Sequence, residues 1–324
     1  MANRIETIGV LTSGGDAPGM NAALRAVVRT ALSRGLEVKG IRRGFHGLLK
    51  GELFDMNSHD VSEIIQCGGT ILQTARSGRM HEEAGQKLAA EQCEKYGIDG
   101  LVVIGGDGSY RGAQALARHG VNVIGVPGTI DLDIGCTDYT IGFDTAVNTA
   151  MQAIDKIRDT STSHERCSII EVMGRSAGYI ALWSGIAGGA EAILMPEEDD
   201  VNEEYLIDSI RAMRNMGKKH FIIINAEGIG DSAGMAERIE AATGMETRAT
   251  ILGYLQRGGS PTCKDRVFAS IMGAKAVELL LEGKSNRAVC FQKGEFVDFD
   301  IEQALSMKKR PPEKIYDMAQ ELSV

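Results

Sequence analysis

Short apolar runs alternate with helix-patterned stretches along almost all of this 324-residue chain, and that alternation constrains the fold most. Leu101–Ile104 and Phe221–Ile224 are apolar at every position, as strands covered on both faces must be. Strands are expected at Ile8–Thr12, Val38–Ile41, Leu101–Ile104, Val121–Val126, Ser168–Val172, Phe221–Asn225 and Arg287–Phe291. Helical patterns fall between them, at Asn21–Arg34, Gln86–Tyr96, Tyr110–Arg118, Thr145–Asp159, Glu203–Asn215 and Arg266–Glu282. Strand, crossover helix, parallel strand is the unit this pattern builds, so the fold class is α/β with mostly parallel sheets. There is no internal repeat, low-complexity tract or linker, so any two lobes are interwoven rather than strung together.

The 40 glycines exceed ordinary usage of about 7%, and they gather where strands should end. Three segments stand out: Thr12-Ser-Gly-Gly-Asp-Ala-Pro-Gly-Met-Asn21, Gly105-Gly-Asp-Gly-Ser109 and Pro127-Gly-Thr-Ile-Asp-Leu-Asp133. Ligands of open parallel sheets sit beyond the carboxyl ends of the strands. Three such loops on one sheet edge would face one cleft. Glycine-rich turns that lead into helices let backbone N–H groups and the positive helix end converge on phosphate. One such loop alone is as often only a turn. Asp107 puts a carboxylate inside that cradle, which fits a bridging Mg²⁺; its bland alternative is a helix cap. Asp131 and Asp133 are spaced i, i+2, which in an extended segment puts both carboxylates on one side and Leu132 on the other. Asp131 is the candidate base for a hydroxyl acceptor, and two aspartates solvating a turn are the alternative.

The chain is acidic, with net charge −9, which argues against coating nucleic acid or an anionic membrane. Its arginines are therefore informative. Arg76, Arg166, Arg175, Arg248 and Arg257 lie in Gly-, Ser- or Thr-flavoured, loop-like segments, where guanidinium suits anion binding. Singly, each would more often be a surface ion pair. Six cysteines form no CxxC pair or zinc spacing, which fits thiols in a reducing compartment. The N-terminus lacks a signal-peptide pattern, and Tyr179–Met195 reads as helix, turn and strand rather than a membrane span, so a cytoplasmic location is expected. Neither GxxxxGK[ST] nor a GxGxxG after the first strand is present, which disfavours a P-loop enzyme and a nicotinamide dehydrogenase.

Taken together, residues 9–22, Val103–Ser109, Pro127–Asp131, Glu171–Arg175 and Gln256–Pro261 closely resemble the bacterial-type ATP-dependent 6-phosphofructokinases over essentially the whole chain. The resemblance implies two interleaved three-layer α/β lobes. Residues 1–142 plus 257–307 would bind the nucleotide, and 143–256 plus 308–324 the sugar phosphate. It implies transfer of the γ-phosphoryl group of ATP to the 1-hydroxyl of fructose 6-phosphate, with Mg²⁺ as cofactor. Gly15, Arg76, Ser77, Gly106, Asp107, Gly108 and Ser109 would bind the nucleotide phosphates, with Asp107 reaching the metal. Thr129, Ile130 and Asp131 would meet the acceptor hydroxyl, and Arg76 and Arg175 would stabilise the transferring group. Met173, Gly174, Tyr254, Glu227 and Arg257 would hold the sugar phosphate. Arg166 and Arg248 would reach it across a subunit interface, which implies a homotetramer.

Pyrophosphate-dependent relatives resemble this pattern but carry aspartate in place of Gly108 and lysine in place of Gly128. Two glycines would leave room for the nucleoside, so ATP is the expected donor. Leu132 stands where the family usually has asparagine, and Tyr254 where it has histidine, which implies weaker hold on the sugar phosphate. Arg25, Arg29, Arg158, Gly189, Glu191 and Lys218 match positions of the family's effector site. Ser58 and Met216 replace an arginine and a lysine there, so control by ADP or phosphoenolpyruvate is expected to be weakened. A kinase for another sugar phosphate, such as a tagatose or sedoheptulose phosphate, and a silent ligand-binding paralogue are the alternatives.

Overall fold

The computed structural model describes residues 5–198 and 202–322. The chain divides into two compact units. Unit 1 holds the chain up to Ile130, Ile134–Thr145 and Arg257–Lys309, and unit 2 holds Asp131–Asp133, Ala146–Gln256 and the chain from Arg310 on.

Unit 1 is built on strands β1 (Thr7–Ser13), β2 (Glu37–Ile41), β3 (Leu53–Asp55), β4 (Gly100–Gly105), β5 (Val123–Thr129) and β6 (Ile141–Gly142). Two more, β11 (Arg287–Gln292) and β12 (Glu295–Asp300), return from the far end of the chain. The sheet order is β12-β11-β5-β4-β1-β2-β3, with β6 paired to β5; only the two outer pairs, β11–β12 and β2–β3, run antiparallel. Every residue of β1, β4 and β5 is buried, which explains the apolar runs at their centres. On this sheet Leu11, Leu101, Val103, Tyr110 and Leu116 form the centre of one apolar core.

Unit 2 is built on a parallel sheet of β7 (Cys167–Val172), β8 (Ala192–Leu194), β9 (Phe221–Ala226) and β10 (Thr247–Ile251), in the order β10-β7-β9-β8. Ile169, Phe221 and Ile223 pack against Leu206, Ile210 and Ile239 from the helices Glu203–Asn215 and Ser232–Thr243. The first of these helices starts where its sequence says it should. The Asn202 side chain accepts from the Tyr205 N–H at 3.1 Å, and Glu203 and Glu204 sit at the positive end of the dipole.

Helix and strand do fill Tyr179–Ala187 and Ala192–Leu194, and no helix among the described residues is long and apolar enough to cross a membrane. Two expectations need correction. β5 does not end at Val126: Pro127, Gly128 and Thr129 belong to the strand, because β6 pairs with Gly128 and Thr129 and extends the ladder. Arg248 lies on β10, not in a loop. The helix Gly44–Lys50 and the strands β3, β10 and β12 are short or weakly patterned and do not stand out in the sequence.

Candidate functional site

In unit 1, register brings the glycine-rich segments side by side. Ser13 pairs with Gly105 and Gly105 with Pro127, so the ends of β1, β4 and β5 lie on one sheet edge. Their closeness depends on Gly105: a Cβ there would meet the Ser13 carbonyl oxygen at 2.5 Å and collide with Ser109 Oγ. The helix Asp107–Arg118 begins at Gly106 with no side-chain cap. The Ser109 N–H turns back to the Gly106 carbonyl at 2.9 Å, which leaves the amides of Asp107 and Gly108 to face an anion. The Ser109 hydroxyl in the first turn is buried and has no hydrogen-bond partner among the described residues. An unused buried donor beside an uncapped helix start fits a phosphate oxygen.

Asp107 is half-buried and accepts from Arg111 Nε at 3.0 Å, an i, i+4 pair. No cluster of three or more His, Cys, Asp or Glu side chains suited to a metal occurs among the described residues. The donor set therefore fits a cation that shares one carboxylate with substrate phosphates, as Mg²⁺ does, rather than an all-protein cage.

Gly108 and Gly128 turn out to differ. An added Cβ at Gly108 would meet nothing within 4 Å, whereas at Gly128 it would meet Met20 Cε and Ile104 Cγ2 at 3.1 Å. The glycine at 128 is thus closely packed between strand β4 and the helix Met20–Ser33, while the space beside Gly108 is open. Arg257 lies against the first loop: its Nη1 donates to the Asp16 carbonyl at 3.1 Å, and a Cβ on Gly15 would come within 2.5 Å of that nitrogen. Arg76 is exposed, and half-buried Ser77 precedes the short 3₁₀ turn Gly78–His81 without capping it. The Thr12 hydroxyl donates to the Gln73 carbonyl at 3.0 Å and lies 2.9 Å from the Thr70 hydroxyl, which ties the approach to Arg76 to the end of β1.

Thr129, Ile130, Asp131 and Leu132 are all buried, Asp131 at 7% exposure. Leu132 has φ +55°, so the segment is not extended, and the expected one-sided pair of Asp131 and Asp133 does not form by strand alternation. Left-handed backbone costs a leucine about 1–2 kcal/mol, and asparagine tolerates it better. Burial of the leucine side chain contributes about 1.5–3 kcal/mol and wins. Leu132→Asn is therefore expected to lower stability by about 1 kcal/mol, read as a lower urea midpoint. A higher midpoint would mean that backbone strain dominates at this position.

In unit 2 the turn after β7 is held by one carboxylate. Glu227 Oε1 accepts from the Gly174 N–H at 3.2 Å and the Arg175 N–H at 2.5 Å. Both residues have positive φ, +142° and +58°. Strain of this kind persists only where the surroundings over-determine it. Gln256, fully buried, accepts from the Met173 N–H at 3.3 Å and so joins this turn to the 3₁₀ turn Gly253–Gln256, which carries Tyr254 at 82% exposure. The Arg175 side chain projects into solvent.

Arg166 and Arg248 both face Glu246, at 3.8 and 3.1 Å, and Arg248 also meets Glu240 at 2.8 Å. The Thr247 N–H and the Arg248 guanidinium hold the Glu240 carboxyl below its ordinary value. Arg166 Nε is buried without a partner among the described residues. Of the effector-like positions, unit 2 gathers Arg158, Gly189, Glu191 and Lys218. Arg158 donates to the Gly189 carbonyl at 2.7 Å, and Lys218 Nζ lies 2.8 Å from Glu191. Glu191 is nearly buried and also accepts from the Ile222 N–H at 2.6 Å, so an internal carboxylate already offsets the lysine. Arg25 and Arg29 lie on the helix Met20–Ser33 of unit 1.

Residues 7–280 match the family described as Phosphofructokinase. The chain belongs to the phosphofructokinase family. A curated relative from Clostridium botulinum, named ATP-dependent 6-phosphofructokinase, is 56% identical over 319 residues, which covers 98% of this chain and all of that protein. The solved phosphofructokinase of Saccharomyces cerevisiae superposes with a TM-score of 0.86 at 32% identity, covering 98% of this chain and 48% of the yeast chain. The chain thus spans about half the length of that yeast protein. A pyrophosphate-dependent phosphofructokinase from Marinobacter aquaeolei superposes with a TM-score of 0.85 at 24% identity over 99% of this chain and 92% of its own, a likeness of fold alone.

Of three buried polar residues in this phosphofructokinase, Asn21 and Gln256 fall within the motifs but carry no role that the motifs reveal, and Asp265 lies outside them. Asn21 donates to the Cys67 and Gly68 carbonyls and accepts from the Ile71 N–H. Thr262-x-x-Asp265 reads only as a helix start, and its partners more than a hundred residues away leave no local signal.

Proposed function

We infer that the chain is an ATP-dependent 6-phosphofructokinase, which transfers the γ-phosphoryl group of ATP to the 1-hydroxyl of fructose 6-phosphate in glycolysis. The observation that carries this reading is the 56% identity to an ATP-dependent 6-phosphofructokinase over that protein's whole length. The uncapped helix start at Gly106, the unused Ser109 hydroxyl and the open space at Gly108 support a nucleotide triphosphate as the donor.

Unit 1 is then the nucleotide lobe and unit 2 the sugar-phosphate lobe. Gly15, Gly106, Gly108 and Ser109 offer donors to the nucleotide phosphates, with Arg76 and Ser77 beside them. Asp107 would hold Mg²⁺, which when bound neutralises charge on the phosphates. Asp131, aided by Thr129 and the Ile130 backbone, takes the proton of the 1-hydroxyl as its oxygen bonds to phosphorus and ADP leaves. Arg76 and Arg175 neutralise charge on the transferring group. Met173, Gly174, Glu227, Tyr254 and Arg257 hold the sugar phosphate, and Arg166 and Arg248 do so for a neighbouring subunit in a cytoplasmic homotetramer. In that tetramer Glu246 must release the two arginines to phosphate. Effector control by ADP or phosphoenolpyruvate is weak, because Ser58 and Met216 bring no charge and Glu191 already occupies Lys218.

A coupled assay with fructose 6-phosphate and Mg²⁺, run in parallel with ATP and with pyrophosphate, tests the reading. Turnover with ATP alone is expected. Turnover with pyrophosphate alone would overturn the donor, and none with either would remove the assigned reaction.

A further inference from the structure

Asp265, in the first turn of the helix Cys263–Leu281, is fully buried, and hydrogen-bond donors rather than a cation surround it. Its Oδ1 accepts from the Tyr139 hydroxyl at 2.5 Å and the Gly142 N–H at 2.7 Å. Its Oδ2 accepts from the Thr145 N–H at 2.9 Å and the Thr145 hydroxyl at 2.5 Å. Burial pushes the carboxyl up, and these donors pull it back. A carboxylate this deep is tolerated only where fixed donors replace its water.

The donors all lie in the stretch that follows the aspartate pair, Tyr139–Thr145. The network continues into a second stretch. Thr145 Oγ1 accepts from the Thr262 N–H at 3.0 Å, while Thr262 Oγ1 accepts from the Asp265 N–H at 3.3 Å and donates to Asp144 Oδ2 at 2.7 Å. Thr262 closes the turn Arg257–Pro261. That turn is tied at its middle, where the Ser260 hydroxyl donates to the Gln66 carbonyl at 2.6 Å. At its head Arg257 donates to the Asp16 carbonyl, against Gly15. Every one of these residues belongs to unit 1.

We propose that Asp265 is a positioning residue for phosphoryl transfer: it clamps Tyr139–Thr145 to the Thr262 cap and so fixes the turn that presents Arg257 beside Gly15. The proposal rests on reading Arg257 as a ligand of the sugar phosphate. A carboxylate is required because both oxygens accept twice. Asparagine in its place would turn an NH₂ group toward two donors.

Asp265→Asn and the milder Tyr139→Phe test this well below their melting temperatures. In Asp265→Asn the KM for fructose 6-phosphate should rise by on the order of tenfold to a hundredfold, while the KM for ATP stays within about twofold. Tyr139→Phe, which removes one of four donors, should shift the same constant in the same direction by less. If Asp265→Asn does not fold, Tyr139→Phe decides. A purely structural role would lower the melting temperature and leave both KM values unaltered, and that result overturns the proposal. Hydrogen exchange over residues 257–262 reads the clamp without substrate: it should be faster in both variants, and unchanged exchange also overturns the proposal. A wild-type protein that fails to turn over fructose 6-phosphate with ATP would instead remove the functional reading, with the exchange result still standing on its own.

Discussion

Asp131→Asn should lower kcat by about 10²–10⁴-fold, with the fold and the KM for ATP little changed. The substitution keeps the shape of a side chain that is 7% exposed but removes its capacity to take a proton. On the proposed mechanism, the attacking hydroxyl then loses its general base at the moment the new P–O bond forms. The proposed acceptor site itself persists, because Thr129 and Ile130 are held in and just after β5 by pairing and burial rather than by the carboxylate. Steady-state kinetics with ATP and fructose 6-phosphate, alongside a thermal melt, measure both halves. A kcat near wild type in a folded Asp131→Asn protein would take Asp131 out of the mechanism.

Arg175→Gly should separate stability from activity. At φ +58° this arginine sits in backbone that costs a non-glycine residue about 1–2 kcal/mol. Its side chain is exposed, so little burial is given up in exchange. Glycine relieves the strain at some entropic cost in the unfolded chain, for a net gain of about 1 kcal/mol. The same change deletes a cation proposed to meet the transferring phosphoryl group, which should lower kcat by about 10²–10³-fold. Urea unfolding reads the first effect and steady-state kinetics the second. Unaltered kcat would remove Arg175 from the transition state, and a lower midpoint would show that Glu227 stabilises the turn only with arginine in place.

Both experiments turn on backbone that the sequence describes incompletely. Leu132 shows the limit: alternation predicts an extended Asp131-Leu-Asp133, but one left-handed residue ends the alternation there. Gly128 shows another, since a glycine reads the same whether it opens a cleft or packs on Met20 and Ile104.

What the chain's own residues determined is local. Apolar runs such as Leu101–Ile104 specify strands buried on both faces, and the glycine-rich segments mark where those strands end, because both depend on neighbours within a few positions. The phosphofructokinase motifs could be read for the same reason. Only the tertiary structure decided which distant groups meet. The carboxylate of Asp265 gathers Tyr139, Gly142 and Thr145 across more than 100 residues, Glu227 holds the Arg175 turn across 52, and Glu246 occupies Arg166 and Arg248. Such contacts follow from how sheets and helices pack, and packing depends on the whole chain at once.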